Sequence, residues 1–379
     1  MGSSEAGIAR GRLVLDDAIV PGRLHVLDGR IAAIEPDPAE AAGPFVVPGF
    51  VDLHVHGWGG HDAMGSTGDL DGMARALLRH GVTSFLPTAV TASLDTLRAF
   101  ADRVRGWMPS APADGSAPLG FNLEGPFISP QRKGAQNPAF IIDASDVAFA
   151  ALEPLLPGMR IMTVAPEIPG GLDLVRWLAS HGVAPSMGHS VATLEEARAG
   201  YAAGGRTTTH LFNAMTGIVH HAPGLAVAAL TDDAAYVELI ADGHHVHPSI
   251  WPIILRTKPA DRLILVSDAL AIAGMGEGRS LSGGLDVEVR GSRLTLAGTD
   301  TLAGSVIALD SAVRNLVRSG LSLPVASAAA SRNPLALLGI TDRGRLAVGQ
   351  RADLVVLDDD LQVVRVASSG EWFEPSDAP

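Results

Sequence analysis

The sequence predicts an α/β protein: a (β/α)8 TIM-like barrel with a small β-sandwich domain built from both chain termini. Three observations point there. Short apolar runs alternate with helical stretches through the middle of the chain, both ends share a β-rich texture, and polar residues gather at the ends of the apolar runs. The alternation yields eight candidate strands, at 50–56, 82–88, 119–125, 160–167, 183–190, 207–213, 236–242 and 262–268. Helical segments fall between them, one opening on a Thr193-x-x-Glu196 capping box. Eight βα units fit a closed barrel best. The first fifty residues read instead as short strands broken by turns, ending at Pro48-Gly49, and the stretch from 344 onward has the same texture. Chain ends commonly lie close together, so 1–49 and 344–379 are expected to form the small domain and 50–343 the barrel.

Length and composition agree with this division. A chain of 379 residues with 47% hydrophobic content can bury one large core plus a smaller one. Against 41 Asp+Glu stand only 28 Lys+Arg, a net charge of −13 that disfavours nucleic acid and anionic membrane surfaces as partners. An anionic substrate would therefore need a local positive pocket. The absence of cysteine excludes disulfides, thiolate ligands and a Cys nucleophile, so any metal must be held by nitrogen and oxygen. The opening MGSSEAGIAR is too polar for a signal peptide and no run of 18 apolar residues occurs, so a cytoplasmic protein is expected.

Within the first barrel strand, period-two alternation sets Val51, Leu53 and Val55 on one face and Asp52, His54 and His56 on the other. Two imidazoles at i and i+2 can share one metal, although such a pair alone reads more readily as packed or hydrogen-bonded. The other strand ends change that balance. Thr88, Glu124, Glu167, His189, His210, Asp242 and Asp268 all fall at or near a C-terminal strand end, where barrels of this kind carry their chemistry. A carboxylate such as Glu124 near the barrel axis needs a cation or hydrogen bonds to offset its burial. His80 and His181 each precede a glycine at a predicted helix end and read as structural caps.

The motifs PGFVDLHVHGWGG, FNLEGPF, GHS, THLFNAM, ADGHHV, VSDA and TLAGS, with the closing ADLVVLD, resemble the N-acetylglucosamine-6-phosphate deacetylases of the amidohydrolase superfamily along nearly the whole chain. The resemblance implies a metal-dependent hydrolase that removes the acetyl group of an N-acetylated amino sugar. It implies Glu124, His189 and His210 as ligands of a main metal, His54 and His56 as part of a second site, and Asp268 as catalytic aspartate and further ligand. It also implies substrate contacts at Asn213, Ala214, His245 and the Leu302-Ala303-Gly304 loop. One or two divalent ions per subunit follow, zinc first with iron, manganese or cobalt as alternatives, as does a homodimer.

Two positions depart from the family pattern, both at the substrate. Where the family usually carries His before Asn-Pro, this chain reads Ala135-Gln136-Asn137-Pro138, and Gln136 can hydrogen-bond without carrying charge. Where it usually carries an arginine before Pro-Gly, this chain reads His220-His221-Ala222. Either the phosphate is held by other groups, with His220, His221, Arg132, Lys133 and the backbone at Asn213 and Ala214 as candidates, or the substrate lacks a 6-phosphate. Competing readings are a deacetylase of another amino sugar, a general amidohydrolase, and an inactive scaffold. The second usually has a lysine at a strand end, absent here, and the third would be expected to have lost ligands.

Overall fold

In the computed structural model, which describes residues 7–374, all eight candidate strands occur, in the expected order. They are Phe50–Val55, Val82–Ala89, Phe121–Glu124, Met159–Val164, Ala184–Met187, Thr207–Thr208, Val237–Leu239 and Leu263–Leu265. The first six pair in parallel in chain order, and the last two pair with each other. Backbone hydrogen bonds close both gaps. The Leu211 N–H donates to the Glu238 carbonyl at 2.8 Å, and the Asp268 N–H donates to the His54 carbonyl at 2.8 Å, so the eighth strand returns to the first.

Several strands are shorter than the sequence predicts, for a local reason. His189, His210 and Asp268 have φ of 47°, 28° and 51°, and a left-handed residue ends a β-ladder. A second difference lies in the third βα unit, which has no α-helix. Its connection runs through short 3₁₀ turns such as Pro130–Arg132 and Glu153–Leu155, because Pro130, Pro138, Pro154 and Pro157 deny the helix its donors and its geometry.

Elsewhere amphipathic helices cover the barrel. In Leu94–Trp107 the buried Leu97, Phe100, Ala101 and Val104 recur every three to four residues. They join Val51, Leu53 and Val55 in one continuous core, where each fully buried aliphatic or aromatic side chain contributes about 1.5–3 kcal/mol over exposure. The Thr193/Glu196 capping box is present. His181 caps the helix Gly171–Ser180, with its ring facing the Trp177 carbonyl, whereas His80 pairs with Asp310 at 3.3 Å.

Both termini build one seven-stranded sheet, ordered 371–373, 363–368, 354–357, 45–48, 8–14, 19–27, 30–36. It curls over its own core of Leu13, Leu24, Ile31, Val46 and Leu354. The curl sets its last strand against the chain leading into 354–357, the Ile31 N–H reaching the Gln350 carbonyl at 2.9 Å. Residues 1–6 and 375–379 of the expected small domain lie outside the described residues.

One element has no counterpart in the sequence reading. Between the eighth strand and the helix Leu309–Arg318, the strands Gly278–Ser282, Leu285–Arg290 and Arg293–Leu296 form an antiparallel sheet. Two-residue turns, Gly283-Gly284 and Gly291-Ser292, join them, and Val287, Val289 and Leu294 pack with Leu270 and Ile272 beside the barrel mouth. Those turn signals were present in the sequence.

Candidate metal centre

The strand ends bring two groups of potential ligands together, His54, His56 and Asp268 in one and Glu124, His189 and His210 in the other, all buried. The groups touch. Glu124 Oε1 lies 2.9 Å from both His189 Nε2 and His210 Nε2, and 3.6 Å from His54 Nε2, while Glu124 Oε2 is 3.2 Å from His56 Nε2. Asp268 Oδ1 is 3.2 Å from His56 Nε2. Glu124 thus stands between the two groups. Three of the six residues hold left-handed backbone conformations, each costing roughly 1–3 kcal/mol unless the surroundings enforce it.

The hydrogen bonding of the imidazoles tests whether a cation fits. His56 Nδ1 faces the Thr88 carbonyl at 3.0 Å and His189 Nδ1 faces the Arg132 carbonyl at 2.8 Å. His54 Nδ1 faces the Glu238 carboxylate at 3.1 Å. Each of these partners only accepts, so each Nδ1 must carry a proton, and a ring with no second proton would turn its Nε2 lone pair toward a carboxylate oxygen. Lone pairs converging on carboxylates need positive charge between them. Among the described residues neither Glu124 nor Asp268 has a Lys or Arg ion-pair partner, so a divalent cation fits the donor set.

Electrostatics agree. Burial would lower the His56 imidazole, but hydrogen bonds and charge from Asp268 and Glu124 outweigh it and lift it to about 9. His54 is raised well above its ordinary value against the same burial by Glu124 and Asp268. Burial would raise Glu124, yet His54 and hydrogen bonds to His189 and His210 hold it well below the usual carboxylate range. The site draws in positive charge, as protons or as metal.

Two supporting carboxylates lie behind the ligands. Glu238, fully buried, accepts from His54 Nδ1 and from the His210 backbone N–H at 3.2 Å with the same oxygen. Asp52 accepts from the His54 and Ser267 backbone N–H groups, and burial lifts it to about 7. Sequence reading singled out neither as a site residue; Glu238 sits in mid-strand, and only its isolation in an apolar run signals it. Replacing Glu238 with alanine is expected to weaken metal binding about 10–100-fold, read by titration against a competing chelator. Unchanged affinity would show that His54 and His210 are oriented without it.

A cavity of about 330 Å³ opens onto the centre. His56, Glu124, His189, His210 and Asp268 line one part of it, and the expected substrate contacts Ala135, Asn213, Ala214 and His245 also line it. So do Leu302, Ala303 and Gly304; Gly304 has φ of 65°, and a Cβ there would lie 2.7 Å from the Asp268 carbonyl oxygen. Asp242 holds His245 Nδ1 at 2.7 Å. Gln136 lines the cavity as well, but its amide is engaged with the centre: Nε2 donates to Glu124 Oε2 while Oε1 accepts the Thr91 N–H at 2.8 Å. It therefore holds the Glu124 carboxylate as well as facing the cavity. His221 is not brought in. It is exposed beside His220, and neither it nor Arg132 nor Lys133 lines the cavity of its own chain. Glu167, at the fourth strand end, serves the loop behind, accepting from Ser190 and Val191.

The amidohydrolase family model matches residues 45–373. An N-acetylgalactosamine-6-phosphate deacetylase of Escherichia coli O157:H7 is 38% identical over 92% of this chain and 94% of its own. An N-acetylglucosamine-6-phosphate deacetylase of Homo sapiens is 37% identical over 97% of this chain and 91% of its own. Among solved structures, a variant of the Mycobacterium smegmatis N-acetyl-D-glucosamine-6-phosphate deacetylase in complex with N-acetyl-D-glucosamine-6-phosphate superimposes with a TM-score of 0.89 at 36% identity, covering 97% of this chain and 98% of that one. With its barrel, its buried ligand groups and these likenesses, the chain belongs to the amidohydrolase family, among the N-acetylglucosamine-6-phosphate deacetylases.

Proposed function

We propose that this protein hydrolyses the N-acetyl group of N-acetylglucosamine 6-phosphate to glucosamine 6-phosphate and acetate. The observation that carries the proposal is the pairing of a buried His/Glu/Asp centre with a ligand-sized cavity in which Asp268 and His245 both appear. Glu124, His189 and His210 would hold the main cation, and His54, His56 and Asp268 a second. When bound, such a cation polarises a carbonyl and lowers the pKa of water toward neutrality; zinc suits the imidazole-rich donor set.

The chain's own residues do the rest. Asp268 would take a proton from the water attacking the acetyl carbon and deliver it to the sugar nitrogen as the C–N bond breaks, giving amine and acetate. His245, its tautomer set by Asp242, presents Nε2 as the ring nitrogen without a protein partner among the described residues, available to orient substrate and steady charge on oxygen. A cytoplasmic setting goes with this reading, since a sugar phosphate does not cross a membrane unaided. A homodimer does also. The residue divisions 1–49 plus 344–379 and 50–343 mark the corresponding domains.

Acetate release from N-acetylglucosamine 6-phosphate is the test, run beside the galactosamine epimer and the unphosphorylated sugar. The epimer is a specific second reading, favoured by the 38% identical galactosamine relative. The highest kcat/KM is expected for the gluco phosphosugar; a higher value for the epimer reassigns the substrate, and no turnover of any of the three defeats the activity.

A further inference from the structure

An enzyme carrying a formal charge of −13 must create a positive spot before it can hold a sugar phosphate. Apart from histidines, Arg293 is the one basic residue lining the cavity among the described residues. It opens the third strand of the inserted sheet, just past the Gly291-Ser292 turn. That turn is docked beside the substrate loop, because Ser292 Oγ is 2.8 Å from the Nε2 of His244, the neighbour of His245. The guanidinium is exposed and forms no ion pair among the described residues. Among the described residues its one hydrogen bond, from Nη2 to the Asp300 carbonyl oxygen at 3.2 Å, steadies it and leaves its other N–H groups without a protein partner. Asp300 also lines the cavity. Arg293 is thus the permanently charged cation available to an anion there.

We propose that Arg293 binds the phosphate monoester of the sugar and sets the preference for phosphorylated over neutral substrate, an inference that rests on the phosphosugar reading above. The acetamide then lies toward Glu124, His189 and Asp268, and the phosphate toward the inserted sheet. A guanidinium suits this role because it is always charged and can grip two phosphate oxygens at once.

The decisive quantity is the ratio of kcat/KM for N-acetylglucosamine 6-phosphate to that for N-acetylglucosamine, in the wild type, Arg293→Gln and Arg293→Lys. The wild type is expected to favour the phosphosugar strongly. Arg293→Gln should cut the ratio by about 10–100-fold, chiefly through KM, with Arg293→Lys between the two. Inorganic phosphate should compete with phosphosugar in the wild type and less so in Arg293→Gln. A wild type that favours the phosphosugar while Arg293→Gln keeps the same ratio overturns the role of Arg293 and leaves the phosphosugar assignment standing. A wild-type ratio near one overturns that assignment, and this inference with it.

Discussion

Stripping divalent metal from the protein with a chelator is expected to abolish acetate release and to lower Tm by several degrees, both restored by adding back zinc or another divalent ion. The six-residue centre explains the size of the effect. Without a cation, two buried carboxylates and the imidazole lone pairs that face them must be satisfied by protons. His56, lifted to about 9 from an ordinary 6.5, is then protonated at neutral pH.

The sign of the pH dependence follows. A histidine whose folded value is raised gives stability that is complete below its unfolded value and is lost as pH rises through the folded one. The metal-free protein is therefore expected to lose stability between about pH 6.5 and about 9. Metal binding must displace those protons, so affinity increases as pH rises over the same range, and adding metal to the stripped protein in weak buffer should acidify it. Full turnover by protein containing only trace metal would overturn the metal-dependent reading.

Changing Asp268 to asparagine is expected to lower kcat by about 10²–10⁴-fold while metal stays bound at Glu124, His189 and His210. The substitution is clean because the backbone, not the carboxylate, fixes this residue. Its N–H donates to the His54 carbonyl and its carbonyl accepts the Ser305 N–H, both at 2.8 Å. Asparagine also tolerates the left-handed φ of 51° better than most residues do. What disappears is the capacity to accept a proton from water and return it to nitrogen. Metal analysis beside single-turnover kinetics checks the claim, and near-native turnover would remove Asp268 from proton transfer.

Much of this centre could be read from the chain because the information is local. A strand's pleat sends alternate side chains to opposite faces, so the run Val51-Asp52-Leu53-His54-Val55-His56 already separates wall from interior. A barrel then requires its polar strand ends to converge at one mouth, and His189, His210, Glu124 and Asp268 do so. The missing helix of the third unit was legible too in its prolines, but the regular alternation around it suggested continuity.

Which groups meet across long stretches of chain is a matter of packing in three dimensions. Gln136 looked like a substrate contact and also holds Glu124; Glu238, which drew no notice in its apolar run, meets His54 from 184 residues away. Arg293 reaches the cavity on an inserted sheet, while the exposed His221 stays outside it. Strand order, the inward face and the chemistry of the buried polar side chains are written locally in the chain, since these follow from side-chain type and backbone period. Ring closure and the docking of the insert determined the partners, because a hydrogen bond or a shared cation depends on distances that no local pattern encodes.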